Sequence, residues 1–517
     1  MRDNIVNLTV QHSGAAYDVV IIGTGVSGSA AGALLAQAGK RVLLLEKSPR
    51  CGGSCHMYAK EGFRIDLGTH LFGHGTKGPI GKLLSRLGKS GRIGFARVRP
   101  VKIRTPFLHL YVPKSPELTP LTAWLLMHQL RIPLHDMPVV VKMLREMVAL
   151  DDGQLSRLND LTMKEYLQQF TTLRSVEQAC NFLLNLAFPL STSQVRAGEG
   201  VWALRQFMTD DTLTYPEGGS EAIPRILLQT AQENGAEIRT RCRVSEIRVE
   251  SGRVTGVNLT QGGFVRAETV ISTVGEHSGL YRHLYGAPGT SSTLGAMPDE
   301  EHPRMAIHAK IALRKPLVKA GLLLGSAPVA SLPFAGSSTR TRSFHAARSH
   351  AGRFRRVVPQ VQRVPPMSPI YCPVPSYLDP SLAPPGCELL TASTPVRADS
   401  LMFEGEDHWV QVLLHGLRTM IPGLERHMLF CDTFGVRFME SRMGAGGGST
   451  ASFALPPSCM RAGDMHVSGP VRGLYLAGDA AGANGMGVEA AAASSLLCTD
   501  TLLKNLREQR PSDVLTA

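Results

Sequence analysis

No run of about 18 or more consecutive apolar residues occurs in the chain, so no transmembrane helix is expected. The N-terminus lacks the basic stretch and apolar core of a secretory signal, so none is expected there either. Cysteine is sparse. Nine in 517 residues make no disulfide framework, and a reducing, intracellular setting is the default expectation. Carboxylates are missing from one long interval: between Glu301 and Asp379 there is no acid and there are twelve Lys or Arg residues. Nearly all of the net charge of +13 therefore resides there. Such a patch is a solvated loop or a surface for anionic lipid headgroups or phosphates. Residues 340–363 admit a third reading, a stretch translated in the wrong frame, because they show neither helical nor strand periodicity. No nucleic-acid-binding motif accompanies the charge, so nucleic acid is not an expected partner.

With 43% hydrophobic residues, a chain of this length can bury a large core and divide into two or more domains. The most informative stretch is "YDVVIIGTGVSGSAAGALLAQAGKRVLLLEK", which begins at Tyr17. Val19 to Ile22 form a short apolar run of the kind found in strands buried on both faces. Gly23, Gly25 and Gly28 give GxGxxG, Ala30 to Ala38 continue as a helix rich in small residues, and Arg41 to Leu45 form a second buried strand. In this pattern the first glycine makes a tight turn, the second lets backbone approach a pyrophosphate, and the third lets helix pack on strand. The helix N-terminus supplies N–H groups for the phosphates. Glu46 lies 18 residues past Gly28, where an acid accepts hydrogen bonds from an adenosine ribose. A dinucleotide is thus expected on a Rossmann-like α/β unit.

The residues after Glu46 select the dinucleotide. Glu46-x-x-x-Arg50-x-Gly52-Gly53 resembles the ExxxRxGG signature of the FAD-containing amine oxidase and carotenoid desaturase superfamily. There the arginine and paired glycines wrap the cofactor beside its flavin end, so the resemblance implies FAD, with Arg50, Gly52 and Gly53 in contact. "FRIDLGTHLF" supplies the D-x-G turn that usually follows, Asp66-Leu67-Gly68, which adds Gly68 to the cofactor residues. Ser54 stands where the family often has arginine, and no role is carried over there.

The cysteines invite other chemistry. Gly52-Gly53-Ser54-Cys55 imitates an element of flavin disulfide reductases, but Lys60 occupies the place of their second cysteine. Zinc would need two ligands beyond Cys51 and Cys55; His56 could be one, but no CxxC or HxxxH follows. No metal is expected, and both sulfurs are read as passengers.

Two further segments extend the resemblance. "VRGLYLAGDAAGANGMGVEAAAASSLLCTDTLL" reads as a strand over Leu474 to Ala477, a turn at Gly478-Asp479, and a helix from Gly485 to Leu503. Asp479 is expected to hydrogen-bond ribityl hydroxyls or pyrophosphate-bound water, and the helix start at Gly487-Val488 to face the flavin pyrimidine. "YPEGGSEAIPRILLQTAQENGAEIRTRCRVSEIRVESGRVTGVNL" resembles the segment that returns to the flavin domain, with Val244 beside the adenine through its backbone. The implied architecture is α/β: a discontinuous FAD-binding domain of the GR2 type over 17–75, 215–290 and 430–505. An α+β substrate domain is inserted over 76–214 and 291–429, and 1–16 and 506–517 are expected to be flexible termini. Leu118 to Leu150 is strongly apolar, broken by Pro133 and Pro138. It reads equally as a segment dipping into one membrane leaflet or as a pair of core helices.

Size, the C-terminal motif and "YLDPSLAPPGCELLTAST" (Tyr377 to Thr394) resemble the bacterial phytoene desaturases and their relatives, the carotenoid isomerases and retinol saturases. That implies removal of hydrogen across a C–C bond of a polyene, with hydride passing to flavin N5 and oxygen or quinone as final acceptor. Such an enzyme would work at the cytoplasmic face of the cell membrane, on an apolar polyene lipid. The alternatives are a polyene isomerase or saturase, a protoporphyrinogen or amine oxidase, and a non-enzymatic prenyl-protein escort factor. No catalytic residue is assigned. His70 and His74 are the histidines to test, a structural role being the simpler reading for each.

Overall fold

The computed structural model describes residues 17–68, 71–105, 109–112, 128, 132–187, 191–193, 195–208, 213–274, 280, 304–328, 367–397, 401, 404–435, 471–478, 481 and 487–508. His70, Asp479, the segment 340–363 and most of 118–131 lie outside the described residues. Strands are numbered here in chain order.

A five-stranded parallel sheet forms the first layer, in the order β10 (Glu237–Arg239), β2 (Val42–Leu45), β1 (Val19–Ile22), β14 (Val270–Ser272), β20 (Leu474–Leu476). Alternate residues of each strand point to opposite faces, which explains why β1 is apolar throughout. Val19 and Ile21 pack on helices α1 (Val26–Gln37), α2 (Ala222–Glu233) and α4 (Val488–Glu508). Val20 and Ile22 pack instead on an antiparallel sheet of β11 (Val244–Glu250), β12 (Arg253–Leu259) and β13 (Phe264–Arg266). Small residues let α1 and α4 approach closely, and the Ser27 and Ser495 hydroxyls meet at 2.8 Å. The first helix begins at Val26, four residues before its expected start, and α4 begins at Val488 rather than Gly485. The last helix also runs on to Glu508, into the stretch expected to be a flexible terminus, because Leu506 packs on the core.

The second layer is a seven-stranded sheet: β19 (Met428–Phe434), β15 (Arg304–Leu313), β18 (Glu388–Arg397), β17 (Met367–Pro373), β16 (Leu322–Pro328), β7 (Val101–Arg104), β8 (His109–Val112). One face carries Ile307, Ile311, Leu390 and Ala392 against α3 (Glu406–Met420). The other face carries Ala312, Leu389 and Phe430 against the hairpin β3 (Met57–Lys60) and β4 (Phe63–Asp66) through Phe63 and Ile65. Beside them the Asp432 carboxylate accepts from Tyr58 Oη at 2.9 Å and Lys60 Nζ at 2.6 Å, and Lys60 lies 4.3 Å above the Phe430 ring. A short sheet of β5 (Phe72–Gly73), β9 (Leu213–Pro216) and β6 (Phe95–Arg97) links the two layers.

Residues 132–204 contribute a separate helical core. Pro138 stands in the first turn of the helix Met137–Ala149, where a missing N–H costs nothing, so it starts this helix rather than breaking one. Val140, Met143 and Met147 face the core, while Leu134, Val139 and Val148 are exposed. The core reading of this stretch therefore holds for one face of the helix.

Glu388 closes one end of the larger sheet. Its carboxylate is buried and accepts from the amides of Leu317, Val318 and Lys319 at 2.8, 3.1 and 3.3 Å. Glu388→Ala would leave three donors without this partner, so it is expected to cost about 2–3 kcal/mol. A lower urea midpoint with unchanged flavin content would bear that out; an unshifted midpoint would refute it.

Candidate cofactor and active site

All five parallel strands end on one side of the sheet, and the sequence-predicted residues collect there. In open α/β sheets ligands bind outside those carboxyl ends, where neighbouring strands connect in opposite directions. Gly23 follows β1 and Glu46 follows β2; Thr273 follows β14 and Gly478 comes soon after β20. Gly28 permits the approach of α1 to the turn: a Cβ there would lie 2.0 Å from the Gly23 carbonyl oxygen. Gly53, at φ +59°, meets the GxGxxG turn backbone to backbone, since its Cβ would lie 2.9 Å from the Gly25 Cα. Gly52 N–H donates to the Thr24 carbonyl at 3.1 Å and holds this loop across the mouth of the sheet.

The electrostatics of the mouth suit an anionic ligand at one point and hydroxyls at another. No side chain caps the start of α1 and its first turn holds no acid, which leaves its N–H groups for phosphate. Glu46 is buried, and its carboxylate accepts from the Thr24 amide (3.1 Å), the Thr24 hydroxyl (2.6 Å) and the Ser48 amide (2.9 Å). These bonds fix its orientation and leave acceptor capacity for a sugar hydroxyl. Cys242 N–H donates to the Glu46 carbonyl at 2.8 Å, which brings Val244, at the start of β11, to the same end of the sheet. Arg50 is exposed and forms no ion pair among the described residues. Gly68 abuts the turn Gly53–Cys55, where its Cβ would lie 2.6 Å from the Ser54 carbonyl. Gly478 N–H donates to the Ser494 hydroxyl at 2.8 Å, and Gly487 immediately precedes α4. An uncapped helix start, a bare glycine floor and an oriented carboxylate fit a dinucleotide. Of the predicted set, only Asp479 lies outside the described residues.

The sequence reading assigned no role to several polar groups, among them Asp66 of the D-x-G turn. Asp66 is fully buried and accepts from Tyr215 Oη, from Ser220 N–H at 3.0 Å and from Ser220 Oγ at 2.5 Å. Burial raises its carboxyl above the usual range, against those hydrogen bonds. Lys310 lies on the sheet face that meets the β3–β4 hairpin, two residues before Ala312. Its side chain is fully buried, and Nζ has no hydrogen-bond partner among the described residues. Burial pulls its amine down to about 7, with the Asp66 charge working the other way. Its cross-strand neighbour Thr391 is also buried with an unpaired hydroxyl among the described residues. His308, on the same face, is pushed down to about 3 by burial first and by Lys310 second. Glu489, buried in the first turn of α4, stands against Gly73 and helps burial raise the Tyr371 phenol. Lys310 looked like one of twelve surplus cations. Its setting in "AIHAKIAL", between apolar neighbours at strand spacing, was the available signal.

Asp379, from the "YLDPS" stretch, accepts from Gly218 N–H at 2.7 Å and Ser381 N–H at 2.9 Å, so that motif ties the two layers together. His74 adopts φ +55°, and burial and then Arg205 depress its imidazole, which makes it a neutral, positioned ring.

Cys55 is buried and Cys51 half-buried, and both are free thiols. Burial pushes the Cys51 thiol up, away from thiolate character. Among the described residues no group of three His, Cys, Asp or Glu side chains is arranged to hold a metal. Replacing both cysteines by Ser is expected to leave the flavin stoichiometry of the purified protein unchanged, whereas Gly53→Val is expected to abolish it. Flavin absorbance per chain checks both, and flavin loss in the double Ser variant would assign the sulfurs a role.

A family model described as flavin containing amine oxidoreductase matches residues 26–278, and one described as FAD dependent oxidoreductase matches residues 190–379. Human all-trans-retinol 13,14-reductase is 25% identical over 320 residues, which cover 54% of this chain and 51% of that one. The chain thus spans about half the length of the curated retinol reductases it matches. Chloroplastic prolycopene isomerase from Arabidopsis thaliana is 23% identical over 550 residues, covering 96% of this chain and 84% of its own. A solved oxidoreductase from Methanosarcina mazei superposes with a TM-score of 0.67 at 20% identity, covering 94% of this chain and 100% of that one. With this fold and this cradle, the chain is an FAD-binding protein that is similar, over residues 26–278, to the flavin containing amine oxidoreductases.

Proposed function

We propose that the chain is an FAD-dependent oxidoreductase that desaturates a C–C bond of an apolar polyene lipid, a carotenoid precursor of the phytoene kind. The observation that carries this reading is a cofactor cradle beside a buried polar cluster whose Lys310 amine has no hydrogen-bond partner among the described residues. Relatives named for retinol and prolycopene support the substrate class, since both names denote conjugated isoprenoids. Bound FAD would supply the hydride acceptor, with oxygen or a quinone as the final acceptor of the electrons.

The protein must hold the cofactor, orient the substrate and take a proton from the carbon next to the one that loses hydride. Gly25, Gly53 and the start of α1 would hold the pyrophosphate, Glu46 would hold the ribose, and Gly478, Gly487 and Val488 would complete the flavin end. Lys310 takes the proton. A buried amine pulled down to about 7 is largely neutral above that pH and accepts a proton; below it the site is already filled. Asp66, held by Tyr215 and Ser220, is the anion nearest in effect to the resulting ammonium.

A second reading follows from the relatives' names: the same site acting as a polyene isomerase or saturase. Expression in cells that accumulate phytoene separates the readings. Desaturation consumes phytoene and moves absorbance to longer wavelength. Unchanged phytoene in the presence of flavin-loaded protein sinks the favoured substrate, and conversion of prolycopene at constant hydrogen count favours the isomerase.

Lys310→Met tests the proton acceptor. Turnover is expected to fall by about 100-fold or more, and the rise of rate with pH through about 7 to disappear. The unfolding midpoint should rise, because an unpaired buried amine has been removed. A variant with full activity and an unaltered pH profile would exclude Lys310 from the reaction.

A further inference from the structure

The strand registers bring much of the chain's excess positive charge to one end of the seven-stranded sheet. At that end Leu313, the last residue of β15, pairs with Met428 and Glu388, the first residues of β19 and β18. Leu322, the first residue of β16, pairs with Pro373 and with Val101, the first residue of β7. Arg314, Lys315 and Lys319 occupy the turn between β15 and β16, and Arg426 and His427 lie just before β19. Lys102 is the second residue of β7, and its Nζ donates to the Val318 carbonyl at 2.6 Å, which draws it to the same turn. The Arg314 amide donates to the His427 carbonyl at 2.9 Å, so the two cationic segments are adjacent.

Little there neutralises them. Arg314, Lys315, Lys319 and Arg426 are exposed and form no ion pair among the described residues. Glu388 is turned inward and takes three backbone N–H groups; Glu425 is engaged by Arg418 at 2.6 Å. Asp379, in the loop between β17 and β18, is buried and takes the Gly218 and Ser381 amides, and Glu61, at the tip of the β3–β4 hairpin, is a further acid on an element packed against this end. The cations also act on their neighbour: burial first, then Lys315, Arg426 and Arg314, depress the His427 imidazole. Two exposed apolar side chains flank them, one on each edge strand of the sheet. Tyr111, opposite Lys102 across β7 and β8, is 57% exposed, and Leu429, beside Met428, is 42% exposed.

We propose that this end of the sheet, Arg314, Lys315, Lys319 and Arg426 with Tyr111 and Leu429, seats the protein on an anionic lipid bilayer. Exposed cations flanked by an aromatic and an aliphatic side chain suit a headgroup layer, where charge meets phosphate and apolar groups meet the acyl boundary. The choice of a bilayer over another polyanion rests on the polyene reading above, because such a substrate resides in membrane.

The test is sedimentation of the flavin-loaded protein with vesicles of phosphatidylcholine alone or with about a third phosphatidylglycerol. The mixed vesicles are expected to bind it at least ten-fold better at low salt, and 0.5 M NaCl to remove most of that gain through screening. Arg314→Gln/Lys315→Gln/Arg426→Gln should lower the partition coefficient by about 100-fold, at roughly five-fold for each charge lost. Flavin absorbance and the melting temperature, both unchanged, show that this variant is folded. If the triple variant unfolds, Lys315→Gln alone gives the same answer through a five-fold drop. Equal binding to both vesicles, or a folded variant that binds like the parent, overturns the proposal. So does polyuridylate displacing the protein from mixed vesicles at equal charge. Lost vesicle binding with polyene turnover intact in detergent sinks this surface alone; retained binding without turnover sinks the substrate reading alone.

Discussion

The buried carboxylate of Asp66 is the constraint on which the rest of the structure depends. It ends strand β4, and it satisfies donors from Tyr215 and Ser220, about 150 residues further along the chain. It also supplies the negative charge felt by Lys310 on the larger sheet. An acid without these bonds would meet a severe desolvation cost, so the hairpin, the Tyr215 segment and β15 must assemble together. Asp379 repeats the device nearby, reaching Gly218 from the loop before β18. Two carboxylates thus register the five-stranded layer against the seven-stranded one, and packing of Phe63 and Ile65 on Ala312 and Leu389 supplies the apolar burial around them.

How much of this was legible in the sequence follows from what each motif encodes. The GxGxxG turn, Glu46 and the paired glycines are demands on backbone geometry, local enough to be read from spacing alone, and β1 has its expected limits. The order β10-β2-β1-β14-β20 draws on segments more than 200 residues apart, and only the resemblance to a known family brought them into one sheet. The seven-stranded sheet was not legible, because its pairings join β7 to β16 and β15 to β19 with no local signal of partner. Lys310 was hidden for a related reason. A cation reads as surface until the strand that carries it is known to be covered on both faces.

An apolar substrate of the kind proposed would explain why so little of the active site could be read. A polar substrate demands several placed donors and acceptors, which leave clusters in a sequence; a polyene demands shape, exclusion of water and one route for a proton. Buried polar atoms are costly unless used, and natural interiors rarely keep them unpaired. Lys310 and Thr391 stand side by side without hydrogen-bond partners among the described residues, opposite the one hairpin that also carries Asp66. Stability alone would select against that arrangement, since an apolar pair of similar size would pack there without the penalty. In a sheet whose core is built from isoleucine, leucine and alanine, that cost is the energetic argument behind the role proposed for Lys310. The same reasoning sets it apart from Glu388, whose three amide partners give it a structural purpose.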